Sequence, residues 1–309
     1  MNTKINFLAT ITAAIFTITA CSSSDDINNS NSGGNDKTNI NANIVTSSTP
    51  AVGNLEFPKV KGGNSIIVTH YDGDSINYSV EWDTSKKSNR WSCYKMYWSI
   101  VLSRNIKRYS VSDADYHTKQ YPSDPDINST AVWTAGDGDP YWGQGYDHGH
   151  ICPSADRLNS YTANKQTFYL TNMQPQLHNF NAGIWEDMEN FVRNQITVNS
   201  NHGDTLYVCK GGVIDQDTAI YKKTAMGLIV PRYFFSAILM KNSSGYKAIG
   251  FWFDQYAATQ GTLSDHVVNI KYLEDHTGID FFCNLPDATE QHVEQLSVDN
   301  IKRAWGFNN

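Results

Sequence analysis

The segment YDHGHICPSADR, residues 146–157, carries Asp147, His148, Gly149 and His150 at four consecutive positions. Histidine changes its charge near neutral pH, so two histidines beside an aspartate form a dense group of side chains for proton transfer or metal binding. The glycine between the histidines is a turn-forming residue. This short segment is therefore the first candidate for a catalytic centre.

A second segment, TNMQPQLHNFNAGIWEDMENFVR at residues 171–193, begins with turn-forming residues and then takes on a helical pattern. Positions four apart lie on one face of a helix, and here they are Asn181, Trp185, Glu189 and Arg193. The opposite stripe is apolar and is predicted to face the core; it consists of Ile184, Met188, Phe191 and Val192. A polar helix face is often only a solvated surface, but the nearby histidine cluster favours a functional role.

Together the two segments resemble the sugar-non-specific DNA/RNA endonucleases of the ββα-metal (His-Me finger) superfamily, which includes the Serratia-type secreted nuclease and mitochondrial endonuclease G. The family pattern is Asp-Arg-Gly-His, then Asn-x-x-Pro-Gln, then Asn-x-Gly-x-Trp, then Glu and Arg on a helix. The matching residues here are Asp147, Gly149, His150, Asn172, Pro175, Gln176, Asn181, Gly183, Trp185, Glu189 and Arg193. One position departs from the pattern, because His148 stands where the family has arginine.

The resemblance implies a metal-dependent endonuclease that hydrolyses phosphodiester bonds of DNA and RNA. Such hydrolysis needs an activated water and positive charge beside the phosphate. The matching family residues imply that His150 is the general base and that Asn181 binds the divalent metal directly, while Glu189 is predicted to hold a metal-bound water. The expected ion is Mg²⁺, which keeps several of its waters and needs few protein oxygen ligands, with Mn²⁺ as an alternative.

Three further side chains are predicted to take part in catalysis. Arg193 lies one turn beyond Glu189 and is predicted either to contact phosphate or to pair with that carboxylate along the helix. Arg108 falls where the resemblance places a phosphate-binding arginine, with Arg104 as a rival. Asn172 matches a family asparagine that orders the site, although a turn role is the alternative.

His148 raises an alternative function. Arginine is always charged and binds phosphate through a planar fork, whereas histidine is charged only in part at neutral pH. His148 is thus predicted to bind substrate more weakly, which makes a weakly active nuclease or a tethered nucleic-acid-binding module the alternative. A zinc hydrolase using His148 and His150 is a third reading, disfavoured because no further ligand follows at a fixed spacing. The neighbouring Asp147 is predicted to orient a histidine or the loop.

The N-terminal part of the chain predicts membrane attachment. Residues 1–20 have the layout of a bacterial lipoprotein signal peptide, and the apolar stretch is too short for a comfortable membrane span. Cys21 is then expected to carry lipid, which gives an outer membrane-anchored lipoprotein on the periplasmic or cell-surface side. Residues 21–54 are rich in serine and asparagine and predict a flexible tether. Residues 55–309 remain as one endonuclease domain.

Branched and aromatic runs before and after the helical segment predict an α+β fold, and the resemblance implies a central antiparallel sheet. The predicted strands cover residues 65–70, 77–82, 91–102, 205–209, 233–240 and 248–253, and a short helix is predicted over residues 271–276. The four cysteines beyond Cys21 leave disulfides and buried thiols equally open. The oligomeric state is also open, with a homodimer as one alternative.

The overall charge bears on the expected DNA and RNA partners. The net charge of −7 and pI of about 5.7 give no general attraction for nucleic acid. Phosphate contacts nevertheless depend on a few well-placed cations rather than on total charge. Basic residues concentrate upstream of the first segment, at Lys86, Lys87, Arg90, Lys95, Arg104, Lys107 and Arg108. Some of these are predicted to line a substrate groove.

Overall fold

The computed structural model of the protein describes residues 38–128, 132–133, 138–199, 203–257 and 261–307. The predicted signal peptide and Cys21 lie outside the described residues. Within the described ranges, no helix combines the length and apolar character that crossing a bilayer requires.

The strands of the described chain are β1 (Ser65–Asp72), β2 (Ser75–Asp83), β3 (Ser88–Tyr97), β4 (Asp147–His150), β5 (Met173–Gln176), β6 (Thr205–Gly212), β7 (Ile220–Lys223), β8 (Ile229–Pro231), β9 (Tyr233–Asn242), β10 (Gly245–Asp254) and β11 (Val267–Val268). Seven of them form a central sheet in the order β1-β2-β3-β6-β9-β10-β11, and every pairing in it is antiparallel. The hairpins β4-β5 and β7-β8 are separate. The predicted α+β class with a central antiparallel sheet is confirmed.

The helices are α1 (Trp98–Leu102), α2 (Tyr116–Lys119), α3 (Tyr161–Gln166), α4 (His178–Phe180), α5 (Glu186–Asn199), α6 (Ile270–Thr277), α7 (Asp287–Glu294) and α8 (Val298–Ala304). A wider helical turn over Asn181–Trp185 connects α4 to α5. Short 3₁₀ turns occur at Pro50–Gly53, Ser154–Arg157 and Leu170–Asn172.

The two faces of the sheet carry separate cores, because successive residues of a strand point to opposite sides. Phe251 of β10 belongs to the core that contains Met188 and Val192 of α5. Ala248, an odd three positions earlier on the same strand, faces the other side and belongs to the other core, with Leu273 of α6. The helix with the predicted metal ligands and the C-terminal helices α6 and α7 therefore cover opposite faces of the sheet.

Most of the strands predicted from the sequence are confirmed, as is the helix at residues 271–276. In one predicted strand the last residues form a helix instead. The strand predicted over residues 91–102 ends at Tyr97, where its pairing with β6 stops at Thr205, and the chain continues as α1. Beyond the last ladder partner, backbone groups have to find local hydrogen bonds, which a helix supplies. Helix α6 begins at the cap Asn269 and ends at Gly278, whose φ of 70° suits glycine.

The predicted boundary of the tether, residues 21–54, is wrong for residues 38–54. Asn39 donates hydrogen bonds from Nδ2 to the carbonyls of Cys283 (2.9 Å) and Leu285 (2.6 Å). Asn43 and Val52 are buried, the second in the core beneath α6 and α7. Segments rich in asparagine are often flexible, but an asparagine side chain can also form hydrogen bonds with the backbone of a distant segment. Composition alone does not distinguish these two roles.

The four cysteines of the domain settle the question of disulfides within it. Cys93, Cys152, Cys209 and Cys283 are all buried free thiols. Cys93 and Cys209 are directly opposite each other on β3 and β6, where they pack into the core as small apolar side chains.

Candidate active site

A cleft of about 790 Å³ lies where the hairpin β4-β5 meets the helical segment that follows it. Six of the seven side chains predicted from the sequence line this cleft: Arg108, His148, His150, Asn181, Glu189 and Arg193. Residues separated by 85 positions are thus brought to one surface, and only Asn172 lies apart from it.

The β4-β5 hairpin determines the positions of the two histidines. His148 is opposite Pro175 and His150 is opposite Met173, so both histidines share one face of the short strand. At Gly149, between them, a Cβ atom would overlap the side chain of Gln176. A larger residue here would force the fully buried side chain of Gln176 to move, so the position favours glycine.

His150 presents a basic nitrogen without a partner. Its Nε2 atom is buried and accepts no hydrogen bond from the described residues. The ring packs edge-on against Phe168, with centroids 4.9 Å apart. Trp185 donates a hydrogen bond from Nε1 to the backbone carbonyl of His150 at 3.3 Å, which ties the strand to the helix.

Burial is the main reason that the pKa of His150 lies well below its ordinary value of 6.5, and the positive charges of Arg108 and His148 lower it further. A hydrogen bond with the backbone at His148 opposes this shift in part. The imidazole is therefore neutral at pH 7, and its free nitrogen can accept a proton.

Asn181 is oriented by Asp147. The amide Nδ2 of Asn181 donates to Oδ2 of Asp147 at 3.0 Å, and His178 contacts the same oxygen through Nδ1 at 2.9 Å. A carboxylate only accepts hydrogen bonds, so the amide nitrogen must face it and the amide oxygen must face away. That oxygen, Oδ1, has no hydrogen-bond donor among the described residues and is available to a cation.

The helix predicted to start at Asn181 is irregular at its beginning. Gly183 has non-helical angles (φ −121°, ψ −116°), and the regular helix α5 starts at Glu186. The expected polar face is correspondingly incomplete, because Trp185 turns into the core with only 1% of its surface exposed. The bend at glycine lets the tryptophan pack inward while Asn181 remains on the cleft.

Glu189 forms an ion pair that the sequence analysis missed. Nζ of Lys210 lies 3.0 Å from its Oε1, and this lysine side chain is completely buried beneath the ring of Trp185. Burial raises the pKa of Glu189, and Lys210 is the main opposing influence. The only signal in the sequence was a single lysine in the apolar run LYVCKGG.

Arg193 pairs with a different acid from the one considered in the sequence analysis. Its Nη1 lies 2.5 Å from Oδ1 of Asp156, and its Nη2 donates to Oδ1 of Asn190 at 2.7 Å. The predicted pairing of Arg193 with Glu189 is wrong, because the helix turns the guanidinium toward the loop after β4. Asp156 is fully buried, so the arginine compensates its charge at the base of the cleft.

His148 is held in a fixed orientation. Its Nε2 lies 2.9 Å from Oδ1 of Asp139, and its ring stacks on Tyr121 with centroids 3.5 Å apart. Tyr141 stacks on the ring as well, at 4.3 Å. One of its two nitrogens is thus already occupied, and direct substrate binding by His148 stays a prediction.

Arg108 is the better of the two upstream candidates for phosphate binding. Its guanidinium lies 5.1 Å from the centroid of the Phe168 ring, on the cleft, and is exposed without a carboxylate partner among the described residues. Arg104 does not line the cleft. Part of the upstream basic cluster serves structure instead, because Lys86 and Arg90 both pair with Asp215.

The predicted catalytic role of Asn172 is corrected by its position. Its Oδ1 accepts hydrogen bonds from the backbone N–H of Cys152 and from Oγ of Ser92, both at 2.9 Å. Its Nδ2 donates to the carbonyls of Cys152 and Thr167, also at 2.9 Å. With every polar group used and no exposed surface, Asn172 positions the loop after β4 and does not reach the cleft.

The donor set on the cleft fits a hard divalent cation. Asn181 offers an amide oxygen that Asp147 keeps turned away from itself, and Glu189 offers a carboxylate for a bound water. Oxygen ligands of this kind suit Mg²⁺ or Mn²⁺. A zinc hydrolase site at His148 and His150 is not supported. Among the described residues, the clusters of three or more His, Cys, Asp or Glu side chains that could hold a metal lie outside this cleft.

The buried pair of Lys210 and Glu189 gives a test of the site's architecture. Lys210→Met is expected to lower the free energy of unfolding by about 3 kcal/mol, because it leaves a largely buried carboxylate without its partner. Chemical denaturation measures this directly. The double variant Lys210→Met, Glu189→Gln removes both charges and should recover most of the loss. Equal destabilisation in the single and double variants would contradict the importance of the pair.

Several known proteins are similar to this chain. The family model described as DNA/RNA non-specific endonuclease matches residues 63–288. The chain is 28% identical to a nuclease of Nostoc sp. over 57% of this chain and 64% of the relative. It is 30% identical to nuclease C1 of Cunninghamella echinulata var. echinulata over 56% of this chain and 69% of the relative. It is 27% identical to the human mitochondrial nuclease EXOG over 73% of this chain and 60% of the relative.

The chain thus spans between 60% and 69% of the length of these three relatives. A similar fold occurs in a chain of the EndoG/EndoGI complex, with a TM-score of 0.56 and 21% identity over 72% of this chain and 89% of that one. The family match itself covers most of the described domain, including both segments of the cleft. The chain belongs to the DNA/RNA non-specific endonuclease family.

Proposed function

We propose that this protein is a metal-dependent, sugar-non-specific endonuclease that hydrolyses phosphodiester bonds of DNA and RNA. The observation that carries the proposal is the unpartnered, buried Nε2 of His150 on the same cleft as the freed amide oxygen of Asn181. A base and a metal ligand on one surface are two groups that metal-assisted hydrolysis of a phosphodiester uses. Membership of the endonuclease family supports the same reaction.

In this proposal each cleft residue has a defined task. His150 accepts a proton from the attacking water at Nε2, and its low pKa keeps this atom free at neutral pH. Asn181 would hold Mg²⁺, or Mn²⁺ in its place, with Glu189 holding a water of the ion. The bound ion would supply positive charge beside the phosphate and the departing oxygen. Arg108 contacts a phosphate from the open side of the cleft.

The rim of the cleft offers surfaces that do not depend on base sequence. Trp142 is 63% exposed and packs against His117, with ring centroids 3.6 Å apart. Aromatic rings stack on any base, and cations bind any backbone phosphate. Both features are compatible with an enzyme that accepts DNA and RNA alike. In this proposal His148 orders the wall of the cleft through its contact with Asp139.

The direct test is a nuclease assay on plasmid DNA and on RNA, with EDTA and after addition of Mg²⁺ or Zn²⁺. Cutting of both polymers that EDTA abolishes and Mg²⁺ restores supports the proposal. Retention of DNA in a filter assay without cutting would instead establish the nucleic-acid-binding module, and rescue by Zn²⁺ alone would establish a zinc hydrolase. A slow but Mg²⁺-dependent reaction is the weakly active nuclease that His148 suggested.

The lowered pKa of His150 predicts that the pH profile of kcat/KM begins to fall only at an unusually low pH on its acid side. The base works when neutral, so a folded pKa below 6.5 should keep kcat/KM on its plateau as the pH falls through 6.5. The measurement is a pH profile of kcat/KM on a short duplex. Arg108→Met removes one of the charges that lower this pKa, and should move the limb to higher pH. A wild-type limb at or above pH 6.5 would contradict the expectation.

We further propose that the protein is an outer membrane-anchored lipoprotein, with lipid on Cys21 and the domain on the periplasmic or cell-surface side. The proposal rests on the signal-like pattern of residues 1–20. Metabolic labelling with a radioactive fatty acid should mark the wild type and not Cys21→Ser, and protease treatment of intact cells distinguishes the two sides. Sedimentation analysis tests for the homodimer.

A further inference from the structure

Four acidic side chains meet at one end of the sheet face opposite the cleft. Glu274 belongs to α6, Asp280 to the loop after it, and Glu290 and Glu294 to α7. Carboxylate oxygens of Glu274, Asp280 and Glu294 all lie within 4.8 Å of one another. This group, termed the acidic cluster below, has no part in the proposed nuclease reaction.

Two buried oxygen atoms at the acidic cluster have no hydrogen-bond partner among the described residues. One is Oε1 of Glu294, whose residue is only 8% exposed. The other is Oδ1 of Asn41, a residue of the N-terminal segment. The Nδ2 atom of Asn41 donates to Asp280 at 3.1 Å and to Glu290 at 2.9 Å, so this asparagine joins the cluster directly. Buried oxygens left without donors are costly unless a cation binds them.

The neighbouring lysines do not supply enough positive charge. Lys271 lies 2.7 Å from Asp275 and only 3.7 Å from Glu274. Lys59 uses its ammonium group for the backbone carbonyls of Asn41 and Ala42, at 2.6 and 2.7 Å.

Neutral donors reach part of the acidic cluster, since the backbone N–H of Phe281 donates to Oε1 of Glu274 at 3.1 Å and Asn41 donates to Asp280 and Glu290, but these donors carry no compensating positive charge. Negative charges this close together repel one another, so each further ionised carboxylate at the cluster raises the free energy of the folded protein. A bound cation would remove that cost by compensating the negative charges together.

We propose that the acidic cluster binds a calcium ion, with Glu274, Asp280 and Glu294 as ligands. All available donors are oxygens, which excludes a preference for softer ions that favour nitrogen or sulfur. Several carboxylates from different elements suit Ca²⁺, which accepts six to eight oxygens in flexible geometry, better than Mg²⁺, which usually takes one or two. The ion would join α6 and α7, and through Asn41 it would fasten residues 38–60 to the C-terminal helices.

Calcium-dependent thermal unfolding tests this proposal. The chelator-treated, full-length Asn181→Ala variant is used so that the proposed catalytic metal site does not contribute. Saturating Ca²⁺ should raise its Tm by about 5 °C, because an ion that binds only the folded state stabilises it. The same concentration of Mg²⁺ should have a much smaller effect. Hydrogen exchange should show increased protection of residues 38–60 with Ca²⁺.

Matched variants locate the effect, each made in the Asn181→Ala background. Glu294→Gln should abolish the Ca²⁺-induced shift, and without Ca²⁺ it should be at least as stable as its parent since one repulsive charge is gone. Asp299→Asn, an exposed acid of α8, should retain the full shift. If Glu294→Gln does not fold, Glu274→Gln serves in its place, with Ca²⁺ binding measured by calorimetry. Absence of a shift in the parent, or an undiminished shift in both cluster variants, would overturn the proposal.

Discussion

His150→Ala should lower kcat by about 10³-fold on both DNA and RNA, because it removes the only group proposed to take a proton from the attacking water. The Nε2 atom that accepts this proton has no structural partner to lose. Replacing the ring should therefore lower the free energy of unfolding only by the packing on Phe168 and the hydrogen bond with the backbone at His148 that are lost with it. Single-turnover cleavage of a short duplex at saturating Mg²⁺ measures the effect on chemistry separately from product release.

The control for this variant is His276→Ala, which removes an exposed histidine of α6 on the other face of the sheet. It should retain full activity. A His150→Ala enzyme that keeps more than about a tenth of the wild-type rate would exclude His150 as the base, since general-base catalysis contributes at least about 10²-fold.

Asn181→Ala should raise the Mg²⁺ or Mn²⁺ concentration needed for half-maximal activity by more than about 100-fold, because it removes the proposed direct ligand. Residues behind a ligand usually contribute between about 10-fold and 100-fold to metal affinity, so a direct ligand should exceed that range. The measurement is activity against metal concentration, accompanied by Mn²⁺ binding followed by electron paramagnetic resonance.

Asp147→Ala provides the graded comparison. It keeps the amide of Asn181 but removes the carboxylate that orients it, so its loss of metal affinity should be smaller, about 10-fold to 100-fold. Unchanged metal dependence in Asn181→Ala would refute the assignment. An equal loss in both variants would show that the orientation of the amide matters as much as its presence.

Several site residues could be found from the sequence because their chemistry is local. His148 and His150 lie two positions apart on one strand, and Asn181 and Glu189 lie in one helical segment, so spacing places each pair on one face of its own element. Local signals also predicted a short helix over residues 271–276, and the structure extends it to Ile270–Thr277 with Asn269 as its cap. The central sheet could be predicted because branched and aromatic runs are intrinsic to buried strands.

Other residues were found only in the folded protein because their partners are distant along the chain. Lys210 comes from a central strand, and Asp139 from the loop before the hairpin, yet they contact Glu189 and His148. Asn172 is the opposite case, since a motif residue proved to be a buried support with every polar group bonded. Spacing indicates which side chains share an element, but it does not indicate which distant groups satisfy them.

The sequence by itself determined the class of fold through short-range periodicity, and its compact motifs carried the resemblance that implied the family, the candidate base His150 and the candidate metal ligand Asn181. The tertiary structure alone decided that Asp147 orients Asn181, that Arg193 pairs with Asp156 and that residues 38–54 pack on the domain. It also brought acids from two helices and a loop into one partly buried cluster. Hydrogen bonds and ion pairs between remote segments form only when the chain closes, so no local pattern can specify them.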